Sequence, residues 1–191
     1  MLNYLKKFNP NIIVFLLFLS FFFIQRIFFD LIQDTTIAFA GSLIYLPHGI
    51  RVLATLIGGR KIIPGLLLGH IASGLYAHSF ATNTNIGFVS ILNLETSIIN
   101  FLTSAGSSFC VLLALFVLNI NYNYIKSIQL KTIFLVSIIS SFINSFFTNT
   151  IYFISYVNWE IGSQFFQYIF GDLIGALIIY YILKFSKKML I

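Results

Sequence analysis

Residues Tyr45–Gly65, YLPHGIRVLATLIGGRKIIPG, place a proline, a histidine and an arginine inside an apolar run. The chain around this stretch has 191 residues, of which 59% are hydrophobic and 8% charged, and its mean hydropathy is +0.96. Such a chain has too few polar side chains to cover a soluble globule. The composition therefore predicts an integral membrane protein with the lipid bilayer as a partner, and Arg51 then lies where hydrocarbon is expected.

The formal net charge of +6 does not indicate a nucleic-acid partner, because the cations stand in short clusters between long apolar runs. Cys110 is the only cysteine, so no disulfide framework and no CxxC motif is present. His70 and His78 lack the four-residue spacing of a helical zinc motif. We expect no metal site, no cofactor and no nucleic-acid partner.

Six apolar runs approach the length of about 20 residues that a helix needs to cross a bilayer. They are Asn11–Phe29, Ser42–Ile57, Ile62–His78, Ser90–Leu118, Thr132–Phe153 and Gln164–Phe185. The second run is short, and we expect its helix to extend back through Thr36. Gly58 and Gly59 predict a tight break before the third helix.

The lysines and arginines predict the orientation. With the N-terminus in the cytoplasm, the inner face collects nine of them and the outer face only Arg26, a strong positive-inside bias. The inner nine are Lys6, Lys7, Arg60, Lys61, Lys126, Lys131, Lys184, Lys187 and Lys188. The flanks of the first run favour an uncleaved anchor over a signal peptide. We expect an all-α, polytopic bundle of about six transmembrane helices, a single domain over residues 1–191 with both termini cytoplasmic.

Arg51 makes the membrane insertion of the second helix only marginally favourable on its own. The eight Leu, Ile and Val residues of this helix contribute roughly −2.4 to −4.8 kcal/mol of insertion free energy, against about +2.5 to +3.5 kcal/mol for a central arginine. Counted from the outer helix ends, Arg51 and Asp172 both lie roughly 12 Å deep. We expect these two to pair, either as a static ion pair or as a functional one, and His48 to meet Glu95 in the same way. For Glu95, which projects away from the Asn93 stripe, a second neighbour or the outer interface is the alternative.

Small and polar side chains predict close contacts between the helices. Gly65 and Gly69 in the third helix, and Gly171 and Gly175 in the sixth, have the small-xxx-small spacing. Polar stripes run along the fourth helix (Asn93, Ser97, Asn100, Ser104 and Ser107) and the fifth (Ser137, Ser141, Asn144 and Thr148). We expect both stripes to face protein and to form hydrogen bonds between helices, with a ligand pocket as the alternative.

Three blocks of the sequence have the motifs and order of a known family. They are LPHGIRVLATLIGGRKIIPGLLLGH (residues 46–70), NLETSIINFLTSAG (93–106) and FGDLIGALIIYYIL (170–183). The chain from Gly41 to about Phe185 resembles the membrane-associated sensor (MASE) domain of the first class. By this resemblance, the positions expected to matter are Pro47, Gly49, Glu95, Gly171, Asp172 and Gly175. His48 and Arg51 depart from the family, which often has small or apolar residues there.

The resemblance implies a sensory input module of the bacterial inner membrane, acting on a histidine kinase, a cyclic-dinucleotide cyclase or a phosphodiesterase. By this resemblance we expect a short, stand-alone form without an output domain, whose signalling would pass through a separate cytoplasmic partner. On the residues, a small ligand would bind a polar cluster of His48, Arg51, Asn93, Glu95 and Asp172.

Two alternatives remain open. One is a substrate-binding membrane component of a vitamin-type transporter with another membrane subunit, and the other is a packing subunit without a ligand. In none of these readings is the chain an enzyme, because the sequence contains no nucleophile with an adjacent base and no phosphate-binding glycine loop.

Overall fold

The computed structural model describes residues 9–28, 44–81, 94–121, 129–155 and 161–189. All regular structure within these ranges is helical, which confirms the predicted all-α class for this part of the chain. The helices are α1 (Pro10–Phe28), α2 (Leu46–Gly58), α3 (Ile63–Ala81), α4 (Leu94–Val117), α5 (Leu130–Ser155) and α6 (Ile161–Met189), and a 3₁₀ turn at Gly59–Ile62 joins α2 to α3.

The first three helices alternate in direction. The amide of Leu46, the first residue of α2, donates to Gln25 Oε1 near the end of α1 at 3.0 Å, so α1 and α2 are antiparallel. The chain then reverses again, because the Gly65 amide donates to Asn11 Oδ1 at 3.0 Å near the start of both α1 and α3. Gly69 also faces α1, one turn further along α3. The small-xxx-small spacing of α3 thus serves its packing on α1.

The last three helices continue the alternation, since residue numbers rise on one helix as they fall on the neighbour that it contacts. The contacting pairs are His70–Ser104 and Asn100–Ile71 between α3 and α4, Ser107–Asn144 and Gly106–Phe147 between α4 and α5, and Asn144–Asp172 and Ser145–Phe165 between α5 and α6. Helices α1, α3 and α5 therefore point one way, and α2, α4 and α6 the other.

Five helical stretches in the described residues are long and apolar enough to cross a membrane, where the sequence predicted six spans. They are Pro10–Ile27, Leu46–Ala77, Leu94–Val117, Leu130–Ser155 and Gln164–Phe185. The second stretch contains α2, the 3₁₀ turn and α3 as far as Ala77. Helix α2 has 13 residues. At ~1.5 Å per residue it is about 20 Å long, which is shorter than the ~30 Å hydrocarbon core of a bilayer.

Helix α2 begins later than predicted. The sequence placed its start at Ser42 or earlier, whereas Tyr45 precedes the helix and Leu46 begins it. The physical reason is Pro47, which occupies the first turn, where its fixed φ suits the helix and its missing amide hydrogen is not needed. The predicted break after α2 is confirmed, since Gly59 has a φ of 58°, a left-handed conformation that favours glycine.

Helix α2 is the most enclosed helix of the bundle, because ten of its 13 residues are buried. It contacts α1, α4 and α5, and it packs most closely along α6. A Cβ added to Gly49 would lie 2.6 Å from Ile179 and 2.7 Å from the Gly175 carbonyl oxygen. A Cβ on Gly175 would collide with the backbone carbonyl of Tyr45. The glycines on the two helices therefore bring α2 into backbone contact with α6.

Candidate functional site

The charged pair that the sequence predicted forms between α2 and α6. Arg51 Nη2 lies 3.6 Å from Asp172 Oδ1, and both side chains are 0% exposed. By helix rise, the pair lies about 16 Å from the first residue of α6 and about 10 Å from the last residue of α2. The prediction that these two residues meet at one level is confirmed. The pairing offsets a charge that would otherwise be costly inside a membrane protein.

The Arg51 guanidinium bends back towards the start of α2, as long side chains on helices do. Its Nη1 donates to the backbone oxygen of Ser107 at 3.1 Å and lies 4.0 Å from the sulfur of Cys110, both on α4. Its central carbon lies 5.3 Å from the centroid of the Tyr45 ring. A cation over an aromatic face is stabilised by the ring quadrupole, so Tyr45 supports the charge from the other side.

Asp172 completes a ring of contacts across four helices. Its Oδ2 accepts a hydrogen bond of 2.7 Å from Asn144 Nδ2 on α5. Asn144 Oδ1 in turn accepts a bond of 2.6 Å from Ser107 Oγ, and the Ser107 carbonyl accepts from Arg51. The path from Arg51 through Ser107, Asn144 and Asp172 back to Arg51 therefore joins α2, α4, α5 and α6. The predicted polar stripes of α4 and α5 supply two members of this ring.

His48 lies against the same carboxylate, and the prediction that it pairs with Glu95 is wrong. His48 Nδ1 is 3.2 Å from Asp172 Oδ2, and its Nε2 is 3.0 Å from Ser140 Oγ on α5. Glu95 is exposed in the first turn of α4. It precedes Ser107 by twelve residues, so it lies about 18 Å along α4 from the level of the ion pair. We name His48, Arg51, Ser107, Asn144 and Asp172 the central cluster.

Several polar atoms of the central cluster lack a hydrogen bond. Among the described residues, Arg51 Nε, Arg51 Nη2, His48 Nδ1 and Asp172 Oδ1 are buried without a hydrogen-bond partner. The separation of 3.6 Å between Arg51 and Asp172 is an electrostatic contact rather than a hydrogen bond. Buried polar groups in proteins are usually hydrogen-bonded, so the central cluster has unused capacity for both donating and accepting.

A second polar cluster lies between α3 and α4. His70 Nδ1 is 3.1 Å from Ser104 Oγ, and Ser104 Oγ lies 3.4 Å from Asn100 Oδ1. The Asn100 amide donates to the Ile71 carbonyl oxygen at 3.2 Å. We name His70, Asn100 and Ser104 the peripheral cluster. It carries no acidic or basic side chain other than the histidine.

The other predicted site residues lie outside the central cluster. Gly49, Gly171 and Gly175 hold α6 against α2 directly beside the central cluster, with the Tyr45 amide donating to the Gly171 carbonyl at 2.8 Å. Pro47 lies in the first turn of α2, and Asn93 lies outside the described residues.

Reasoning from the sequence missed Tyr45, Cys110 and Ser140 as neighbours of the central cluster. The serine and asparagine stripes indicated the correct helix faces, but nothing in them pointed to the ion pair. Across the described ranges, no group of three or more His, Cys, Asp or Glu side chains is placed to hold a metal ion.

Comparisons of the chain with protein-family models, with curated proteins and with solved structures give no match. The resemblance to the MASE domain therefore stays a prediction. What the structure defines is a class, a helical protein with five described stretches long and apolar enough to cross a membrane and with an ion pair enclosed among four helices.

Proposed function

We propose that this chain is a sensory or ligand-binding module of a bacterial inner membrane, resembling the MASE sensor domain and acting on a cytoplasmic signalling enzyme. The observation that carries the proposal is the central cluster, because it places incompletely hydrogen-bonded charges where four helices meet. A ligand bound there contacts all four helices at once. A purely structural ion pair favours complete hydrogen bonding, since each unsatisfied buried group costs free energy.

The proposed route of the signal is α2 itself. Seven residues after Arg51, α2 ends in a turn that exposes Arg60 and Lys61. Two helical turns transmit a displacement of the guanidinium to this turn with little loss, because the helix is rigid over that length. A ligand shifts the position of α2 only if it binds one arrangement of the bundle more tightly than the other.

We further propose that the chain crosses the membrane six times with both termini in the cytoplasm. The alternating helix directions support this, as do the basic residues that the described part gathers at one end of the bundle. These are Arg60, Lys61, Lys131 and Lys184. In this topology α2 spans only part of the hydrocarbon core, and the longer helices around it span the remaining thickness.

Cysteine labelling tests the topology, because the only native cysteine, Cys110, is buried. Single variants Gly162→Cys and Lys61→Cys place thiols on opposite ends of the bundle, both at exposed positions. With a membrane-impermeant maleimide on intact cells, we expect Gly162→Cys to react and Lys61→Cys to react only after permeabilisation. Reaction of both from the same side contradicts six crossings.

A cross-linking pull-down from native membranes tests the functional class. We expect a histidine kinase, a cyclase or a phosphodiesterase among the captured proteins. Recovery of an energy-coupling ATPase, together with accumulation of a vitamin-sized solute in cells, would indicate transport instead of sensing.

A metabolite library provides the parallel test of ligand binding, measured as a shift in the melting temperature of the protein. We expect Arg51→Gln to abolish this shift and Arg60→Gln to keep it. No shift with any compound would favour a packing subunit.

A further inference from the structure

We propose that the ligand of the central cluster is a small carboxylic acid, bound in its protonated form alongside the Arg51–Asp172 pair. The inference rests on the proposed function and names the ligand class of that same site. It is drawn from the unsatisfied atoms on the two charged side chains.

The guanidinium offers the edge that a carboxyl group recognises. Nη1 of Arg51 is engaged by Ser107 and lies near Cys110. Nε and Nη2 have no hydrogen-bond partner among the described residues, although both are fully buried. These two groups direct their N–H bonds in parallel along one edge of the planar guanidinium. Arginine uses such an edge to bind carboxyl oxygens in a bidentate manner.

Asp172 offers an acceptor beside this edge. Its Oδ2 is held by Asn144, whereas Oδ1 lacks a hydrogen bond and lies 3.6 Å from Arg51 Nη2. A donor pair and an acceptor therefore stand side by side. A protonated carboxyl group matches both, because its oxygens accept from the Arg51 edge while its O–H donates to Asp172 Oδ1.

Charge balance requires a proton to enter the site with the acid. The charges of Arg51 and Asp172 cancel, so a carboxylate anion alone would add an uncompensated negative charge to a fully buried site, at a high desolvation cost. The other titratable groups around the pair are Tyr45 and His48 from α2 and its start, His70 from α3, Cys110 from α4, Tyr152 from α5, and Tyr168 from α6. None of them carries a fixed positive charge, and the remaining α5 contacts, Ser140, Ser141 and Asn144, are neutral. One proton must therefore accompany each bound carboxylate.

The test uses the full chain in nanodiscs of phosphatidylethanolamine and phosphatidylglycerol. Acetate, benzoate and octanoate are titrated between pH 5 and pH 8, with benzyl alcohol as the neutral control, and binding is read by calorimetry and by melting temperature. For at least one acid, we expect the apparent affinity to fall about tenfold per pH unit above the pH at which that acid ionises. Calorimetry in two buffers of different ionisation enthalpy should report uptake of one proton per bound acid.

Three variants separate the roles of the two charges. Arg51→Gln should weaken binding at least about tenfold, and the exposed Arg60→Gln should leave it unchanged. Asp172→Asn should still bind the acid but without pH dependence, because the anion itself then neutralises Arg51. If Asp172→Asn fails to fold, the proton uptake of the wild-type chain decides the question alone.

Three results overturn the inference. The first is a response of equal size in Arg51→Gln, which would indicate that the acid partitions into the lipid. The second is binding without proton uptake, and the third is no binding of any of the acids. These results refute the carboxylic acid as the ligand without deciding against the proposed sensory function. A neutral metabolite whose effect requires Arg51 would keep ligand sensing and refute only the carboxylic acid.

Discussion

The central and peripheral clusters combine histidine with serine and asparagine side chains, but only the central cluster contains an ion pair. His48 is 0% exposed and lies within a polar arrangement that spans four helices, whereas His70 is half-buried and its hydrogen bond joins only α3 and α4. The difference shows where a charge can be enclosed. Two adjacent helices satisfy neutral polar groups, but an arginine needs protein on every side, which only the short, surrounded α2 provides.

The largest expected effect comes from removing one member of the ion pair. Asp172→Leu leaves Arg51 buried without its counter-charge, and we expect a loss of about 3 to 5 kcal/mol in the free energy of unfolding. The double variant Arg51→Leu with Asp172→Leu should recover most of this loss, because replacing a buried pair by apolar side chains is often neutral or stabilising. Unfolding in mixed detergent micelles measures both.

The exposed Glu95→Leu is the matched control for the loss of an acid, and its expected effect is within about 1 kcal/mol, the range of exposed ion pairs. A double variant as unstable as Asp172→Leu alone would mean that Arg51 and Asp172 are not energetically coupled. The comparison between the two clusters would then lose its basis.

An intermediate effect is expected from filling the close helix contacts. Gly175→Ala drives a methyl group into the Tyr45 carbonyl, so the backbones of α2 and α6 must separate, at a cost of about 1 to 3 kcal/mol. Gly74→Ala meets the Asn100 side chain in the peripheral cluster. Because that side chain can rotate, we expect a smaller loss of thermal stability.

Gly162→Ala serves as the reference for the glycine variants, since a Cβ there has no atom within 4 Å among the described residues. Equal losses in Gly175→Ala and Gly74→Ala would show that backbone contact between α2 and α6 is not special.

The smallest effects are expected from the serines. Ser107→Ala removes the donor to Asn144 Oδ1 inside the closed ring, and we expect a loss of about 1 to 2 kcal/mol. Ser104→Ala removes a contact of the peripheral cluster, for which a loss of about 0.6 kcal/mol is typical of membrane helices. Thermal unfolding of the two variants in the same detergent gives the order. A larger loss for Ser104→Ala would contradict the central role of the ring.

Much of the fold was predictable because hydropathy and glycine patterns act locally. The apolar runs located the helices, and Gly59 marked the break. Residue counting also matched Arg51 with Asp172, because α2 and α6 run parallel and in contact. The same counting failed for Glu95, since Glu95 lies about 18 Å further out along α4 than the level of the ion pair, and no local signal reports such an offset.

The sequence by itself determined the apolar, helical character of this protein and the need of Arg51 for a partner, because these follow from composition and from transfer free energies that add along the chain. Only the tertiary structure decided that Asn144 and Ser107 close a ring with Asp172 and that one edge of the guanidinium stays unsatisfied. The rotation of each helix about its axis determines which side chains converge, and that rotation depends on the simultaneous packing of all six helices.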